Sequence, residues 1–388
     1  MMNQHCVRLV SATAALTLAL GTLVAPAVAQ TQACPNPIPI AITTPLTTGL
    51  ALIGAQARNG VQDAVDEINA AGGIGGKKVA LAAEDTAASP TTALNALNRV
   101  LGDKPVVVFS SMISPHVFTQ SEVIRKAEVP FLVAATNAGI TRQKLPWLFR
   151  IHVHDGQLAN MVPKYVVEQM KKSKPGIIAV GDDYGIGFSK DLQKSFEGLS
   201  AKPVAMESYG VSDKDMTAQL LSIKNKGADV IVVWGRPGDV TLVMKQIKQL
   251  GLGLPVIGNS SIVSRAMLNN LSDAEADGAL AIGGMIPDAS VDAKVQQWAK
   301  RVEDKTKLPA DNFALGYRDA MMLVKDIIQR VGCDPNAIRQ GLASTKDWPG
   351  LLISYSADTN GDLAHLLGVY RNRGRKPELI GTLKEAGP

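Results

Sequence analysis

Residues 61–83 read VQDAVDEINAAGGIGGKKVALAA, and this stretch decides the fold. Val61, Ala64, Val65 and Ile68 recur at helical spacing and define one apolar face. Gly72 and Gly73 then end the helix, as residues tolerant of positive φ do at a C-terminus. Residues 79–83 are apolar and short enough for a strand. Working outward, the apolar face extends back through Ile53 and Ala57 to a strand at 38–43. Forward, Ser89-Pro90 reads as an N-cap with proline in the first turn, opening a helix to about residue 101. The run 106–109 is continuously apolar, as a strand buried on both faces would be. Ser114-Pro115 opens another helix ending near Ala127, and 131–134 is the next strand.

A second series begins near His154. Helices at 158–170, 189–196, 217–226 and 240–250 alternate with strands at 176–180, 204–209, 229–234 and 255–258. Helices near 295–306 and 312–331 extend the fold. This rhythm predicts an α/β protein with parallel sheets covered on both faces. Two such series predict two Rossmann-like lobes joined by a hinge of short crossings. The expected division is 30–153 plus 284–357 for lobe 1, and 154–283 plus 358–388 for lobe 2. A chain of 388 residues is in any case long for one core.

The glycine-rich run 72–78 resembles a phosphate loop only at a glance. Ala71 occupies the first glycine position, Lys78 stands where Ser or Thr would bind magnesium, and the run follows a helix instead of a strand. A helix end and turn is the reading adopted. No H-E-x-x-H, G-x-S-x-G or C-x-x-C motif occurs. His152 and His154 would share one face of a strand, but no third metal ligand accompanies them. Asp182-Asp183 follows a strand and reads as turn chemistry or lobe-to-lobe hydrogen bonding. No enzyme activity, metal or cofactor is expected.

Residues 1–29 read as a cleavable export signal. Arg8 precedes an apolar run, and Ala27-Val28-Ala29 forms an A-x-A exit, so the mature chain should start near Gln30 in the periplasm. Beyond it no apolar run reaches the ~18–20 residues of a spanning helix. Cys34 and Cys333 remain as an even pair, and in an exported chain an even pair predicts one disulfide. The formal net charge of +5 is spread along the chain, with its tightest cluster, Lys171, Lys172 and Lys174, at a helix end. Nucleic acid is not an expected partner, and a monomer is.

From Ile38 onward the chain resembles the branched-chain amino-acid-binding proteins of ABC transporters, which have the type I periplasmic binding fold. The likeness is carried by Pro45 to Gly49, by Asp66 to Gly76, by Ser110-Ser111, by Ala134 to Asn137, by Trp147 to Arg150 with Asp155 and Gln157, by Asp183 to Gly187, and by Gly316 to Ala320. Several of these immediately follow predicted strands, where open α/β sheets bind ligands. The resemblance implies that Ser110 or Ser111, with Thr136, holds a ligand carboxylate. It implies that the Ala134 carbonyl accepts a ligand hydrogen bond, that Ile53 lines the side-chain pocket, and that Tyr184 covers the ligand from lobe 2.

Two positions depart from the family pattern. Ser260 stands where the family places the acid that pairs with a ligand ammonium. Arg236 or Pro237 stands where a lobe 2 tyrosine is expected. A serine does not neutralise a buried ammonium, whereas an arginine grips a carboxylate. The expected ligand is therefore an organic acid without an α-ammonium, or an amide. The expected function is capture of a small polar ligand between two lobes and delivery to a permease. A ligand-sensing receptor for a signalling system is the alternative.

Overall fold

The computed structural model describes residues 33–384. The expected export signal and its cleavage site lie outside the described residues. In the first series, β1 (Ile38–Thr44) leads to α1 (Ala51–Ala70), β2 (Val79–Asp85), α2 (Pro90–Gly102) and β3 (Val107–Phe109). It continues through α3 (Ser114–Lys126), β4 (Phe131–Val133), the short α4 (Gly139–Arg142) and β5 (Leu148–Arg150). These strands form one parallel sheet in the order β2-β1-β3-β4-β5. β3, β4 and β5 are buried throughout; β3 and β4 read as apolar runs for that reason, whereas β5, read in the sequence only as part of the crossing, ends in Arg150.

α5 (Asp155–Lys164) opens the second series. Residues 165–169 continue it as a π-turn, where the sequence predicts one regular helix. Pro163 lies just before this widening and has no N–H to donate. β6 (Pro175–Val180), α6 (Asp183–Gly198), β7 (Ala205–Tyr209), α7 (Thr217–Asn225), β8 (Val230–Trp234), α8 (Pro237–Gln249) and β9 (Val256–Gly258) follow. Two short helices, α9 (Arg265–Leu268) and α10 (Asp273–Ala276), lead to β10 (Leu280–Gly283).

The chain then returns to the first lobe. α11 (Ala293–Thr306) and α12 (Asn312–Val331) pack against α1. Asp63 on α1 accepts hydrogen bonds from the Trp298 indole at 2.9 Å and from Arg301 at 2.8 Å, and Glu67 pairs with Arg318 at 3.0 Å. After α13 (Pro335–Ala343) a small ribbon of β11 (Trp348–Pro349) and β12 (Ser354–Tyr355) precedes β13 (Leu366–Arg373) and β14 (Lys376–Lys384). β13 and β14 join the second sheet antiparallel, giving the order β14-β13-β10-β9-β8-β6-β7. The sequence reading did not anticipate these last strands. β14 is mostly exposed and lacks the apolar run that marked the others.

A disulfide joins Cys34, just before β1, to Cys333, just after α12. It spans 299 positions and ties both chain segments to the first lobe. The largest apolar cluster runs through that lobe and on into the second, where it takes in Ile177, Phe188, Val232 and Trp234. In the second lobe the Trp234 ring stacks on Phe188 with centroids 3.4 Å apart. Burying such side chains contributes roughly 1.5–3 kcal/mol each.

The crossing beside β5 is held by one buried cation. Arg150 is fully buried and pairs with Asp362 at 2.7 Å. Its other nitrogens donate to the carbonyls of Thr136 and Asn137 at 2.9 and 3.0 Å and to the Thr141 hydroxyl at 2.6 Å. A buried charge is tolerated only when paired and hydrogen-bonded in this way.

Candidate functional site

Between the two sheets lies a cavity of about 370 Å³, lined by loops that follow the carboxyl ends of strands. Leu52, Ile53, Met112 and Ile113 from the first lobe, with Phe313 at the start of α12, form an apolar wall. Thr136 follows β4, and Asp155 is the first residue of α5. Tyr184, Trp234, Arg236, Asn259, Ser260 and Ser261 line the cavity from the second lobe.

The second-lobe groups are mutually fixed. Asp182 caps α6: its Oδ1 accepts from the backbone N–H groups of Tyr184 and Gly185 at 3.1 and 3.2 Å. Its Oδ2 holds Arg236 Nη2 at 2.6 Å. The guanidinium lies over the Tyr184 ring, 5.3 Å from its centroid. The Asn259 amide donates to the Tyr184 hydroxyl at 2.6 Å and to the Gly235 carbonyl at 2.9 Å. Arg236 Nη1 is buried and has no protein partner.

Asp155 is 1% exposed. Its Oδ2 accepts from the Thr136 hydroxyl at 3.1 Å, while its Oδ1 is buried without a protein partner. Burial pushes its carboxyl up to about 7, against the lowering pull of Arg150. His152 is the opposite case, pushed down to about 4 by burial. Its Nδ1 donates to the Val153 carbonyl at 2.9 Å, and its Nε2 accepts from Asn312 at 2.7 Å, the pattern of one neutral tautomer. His154 is used as the cap of α5. Among the described residues no cluster of His, Cys, Asp or Glu is placed to hold a metal ion.

The lobes touch beside the cleft. Asn137, on the loop after β4, donates to the Asp183 carbonyl at the start of α6 at 2.6 Å. A Cβ at Gly187 would lie 2.4 Å from the Asn137 amide nitrogen, which explains the second glycine of the Tyr184 to Gly187 turn. Arg142 and Asp191 approach to 3.5 Å on the same side.

Of the residues singled out in the sequence, Ile53, Thr136, Tyr184, Arg236 and Ser260 line this cavity. Ser110, Ser111 and Ala134 do not. Ser110 Oγ donates to Gln120 at 2.9 Å, and Ser111 Oγ contacts His116 Nδ1 at 3.1 Å. The Tyr317 hydroxyl donates to the Ser110 carbonyl and accepts a backbone hydrogen bond from Ala134. The serines directly after β3 are thus spent inside the lobe. Met112 and Ile113, two residues farther along, reach the cleft instead. The sequence reading placed Asp155 only in the crossing. Its signal was a charged residue at the first turn of a helix leaving a strand end.

The family model described as periplasmic binding protein matches residues 37–374. The chain belongs to that family. The Leu/Ile/Val-binding protein BraC3 of Rhizobium johnstonii is 29% identical over 357 residues, covering 89% of this chain and 95% of the relative. The branched-chain amino acid transporter substrate-binding protein LivJ of Streptococcus pneumoniae, solved with isoleucine, superposes with a TM-score of 0.81 at 25% identity. That match covers 90% of this chain and all of LivJ. A solute-binding protein from R. palustris, solved with benzoate, shares the fold with a TM-score of 0.79 at 18% identity, covering 91% of this chain and 98% of that one. Family, lobed fold and inter-lobe cleft together make this chain a substrate-binding protein of the ABC-transporter type.

Proposed function

We propose that the chain is the periplasmic receptor of an ABC importer for a small organic carboxylate with an apolar body. The observation that carries the ligand class is Arg236. One guanidinium nitrogen is fixed by Asp182, and the other is buried beside the cleft without a protein partner. A carboxylate completes that edge with a charge-assisted bond. A neutral apolar ligand would leave a buried donor unpaired, at a cost of about 1–3 kcal/mol or more. The wall of Leu52, Ile53, Met112, Ile113 and Phe313 suits the hydrocarbon part. The relatives point the same way: the Leu/Ile/Val-binding proteins, LivJ with isoleucine and the R. palustris protein with benzoate all concern carboxylates on apolar bodies.

Residues 30–153 with 284–357 and residues 154–283 with 358–388 act as the two moving lobes. Ligand gripped by Arg236 and Tyr184 on one side and by Ile53 and Thr136 on the other favours the closed form, and the permease recognises that form. Ser260 adds a polar contact at the rim. The segment 1–29 directs export and is removed.

A thermal-shift screen of residues 30–388 against aliphatic acids, aromatic acids, amino acids, amides and sugars tests the ligand class. Ligand at ~100-fold over its dissociation constant stabilises by about 2.7 kcal/mol. Hits confined to carboxylates are expected. Hits confined to amides or sugars would sink the assignment.

A further inference from the structure

We infer that Arg265 is a latch between the lobes: its ion pairs with Asp288 and Glu303 hold the closed form together at the edge of the cleft, before any ligand is bound. The inference rests on the lobe closure of the reading above and does not depend on the ligand class.

Each end of the contact is anchored in its own lobe. Arg265 opens α9, whose Met267 and Leu268 are buried in the core of the second lobe. Ser264 caps that helix, and its hydroxyl donates to the Ser261 carbonyl at 2.8 Å. Arg265 is thus one short step from the loop of Asn259, Ser260 and Ser261 that lines the cleft. Glu303 lies on α11, which the bonds from Trp298 and Arg301 to Asp63 tie to α1 of the first lobe. Asp288 lies where the chain returns to that lobe after β10. Arg265 Nη1 donates to both carboxylate oxygens of Glu303 at 3.1 Å, and its Nε pairs with Asp288 at 2.8 Å. Arg265 and Asp288 also line the cleft cavity, so the bridge stands at its edge.

An isolated exposed ion pair shifts an equilibrium only a fewfold. This bridge differs because it neutralises acids that closure buries together. The Asp288 side chain is 17% exposed. Burial pushes its carboxyl up, Arg265 pulls it down, and Glu303 acts on it as a like charge. Asp311, the cap of α12, is a third acid in range of Asp288. Closing the lobes without Arg265 would bury Asp288 among like charges with no cation, the arrangement that costs most. The lysines beside the bridge do not replace it: Lys300 pairs with Asp304 at 2.8 Å, and Lys307 donates to the Asp304 carbonyl at 2.7 Å. The other ion pair between the lobes, Arg142 with Asp191, is the contrast. It is longer, at 3.5 Å, its arginine is mostly exposed, and it neutralises no such cluster.

The test is small-angle X-ray scattering of the mature protein, unfolded and refolded with its disulfide intact to strip any bound small molecule. Arg265→Gln should move the ratio of closed to open forms about tenfold toward open, read as a larger radius of gyration at low salt. Raising the salt to about 0.5 M should expand the wild type and leave Arg265→Gln unchanged. Arg265→Lys keeps the charge and should restore part of the closure. Glu303→Gln leaves Arg265 in place and should expand the protein in the same direction, and the double variant should expand less than the two single effects summed. Arg142→Gln should match the wild type. Equal radii for wild type and Arg265→Gln would overturn the inference, as would a fall in the urea midpoint of Arg265→Gln with no change in radius, which marks a role in fold stability alone. Expansion of Arg142→Gln as large as that of Arg265→Gln would overturn it as well. The measurement contains no ligand, so failure of the carboxylate reading would leave its outcome standing.

Discussion

The two walls of the cleft both draw on loops after parallel strands, yet they present different chemistry. The first-lobe wall is apolar at Leu52, Ile53, Met112 and Ile113. The second-lobe wall is a fixed polar set: Asp182 with Arg236, Asn259 with Tyr184, and Ser261 bonded to the Gly235 carbonyl at 2.9 Å. The difference lies in where each loop spends its polar groups. After β3, Ser110 and Ser111 turn inward to Gln120 and His116, and the chain reaches the cleft with hydrocarbon. After β8, Arg236 is pinned by its neighbour's cap and reaches the cleft with a donor. Position at a strand end therefore says that a residue is near the site, and the local hydrogen bonds say whether it faces it.

This contrast assigns the ligand head to the second lobe and Asp155, and the body to the first. One test of it is pH. Free Asp155 titrates at about 7. A donor-free carboxylate disfavours the ionised form, so its bound-state value lies higher, and affinity falls as pH rises through that window. An ammonium favours the ionised form, so its bound-state value lies lower, and affinity rises with pH and then levels off above the free value. Each trend should amount to roughly tenfold between about pH 6 and pH 8, or ~1.4 kcal/mol. Calorimetry across that range gives the slope; opposite signs for the two ligand types are expected, and equal signs would break the division of labour.

The body side should respond more modestly. Ile53→Ala removes part of the apolar wall and should weaken every carboxylate about three- to tenfold, near 1 kcal/mol. Head-group discrimination should be unchanged. A loss confined to one head group would show that the walls are not separable. The smallest effect on binding belongs to Ser110→Ala and Ser111→Ala. Both should leave affinity within about twofold while lowering unfolding stability by about 1–2 kcal/mol, because each strands a buried partner. Urea unfolding beside calorimetry separates the two; a large affinity loss at unchanged stability would put these serines back in the site.

Much of the architecture was legible because periodicity is a local property. The helical face through Val61, Ala64, Val65 and Ile68 is buried, as its spacing requires. The glycine turn after it has Gly73 at φ 86°, with its N–H bonded back to the Ile68 carbonyl at 2.8 Å. In the β13–β14 hairpin, β14 was not legible because an exposed antiparallel edge carries no continuous apolar run; β13 beside it is mostly buried. In the site, Tyr184 was readable because it stands two residues after the Asp182 cap, while Arg236 meets the same cap from 54 positions away. Ser110 and Ser111 turn to Gln120 and His116 on the helix that follows them, and Tyr317 reaches Ser110 and Ala134 from the distant α12, so position at a strand end did not show which way these groups face.

The most direct test of the central claim is calorimetry of Arg236→Gln against the tightest-binding acid found for the wild type. Glutamine keeps a neutral polar group and removes the charge. The account predicts a loss of about 30-fold or more, at least ~2 kcal/mol. Affinity within twofold of the wild type would contradict it, because the carboxylate would then be held elsewhere.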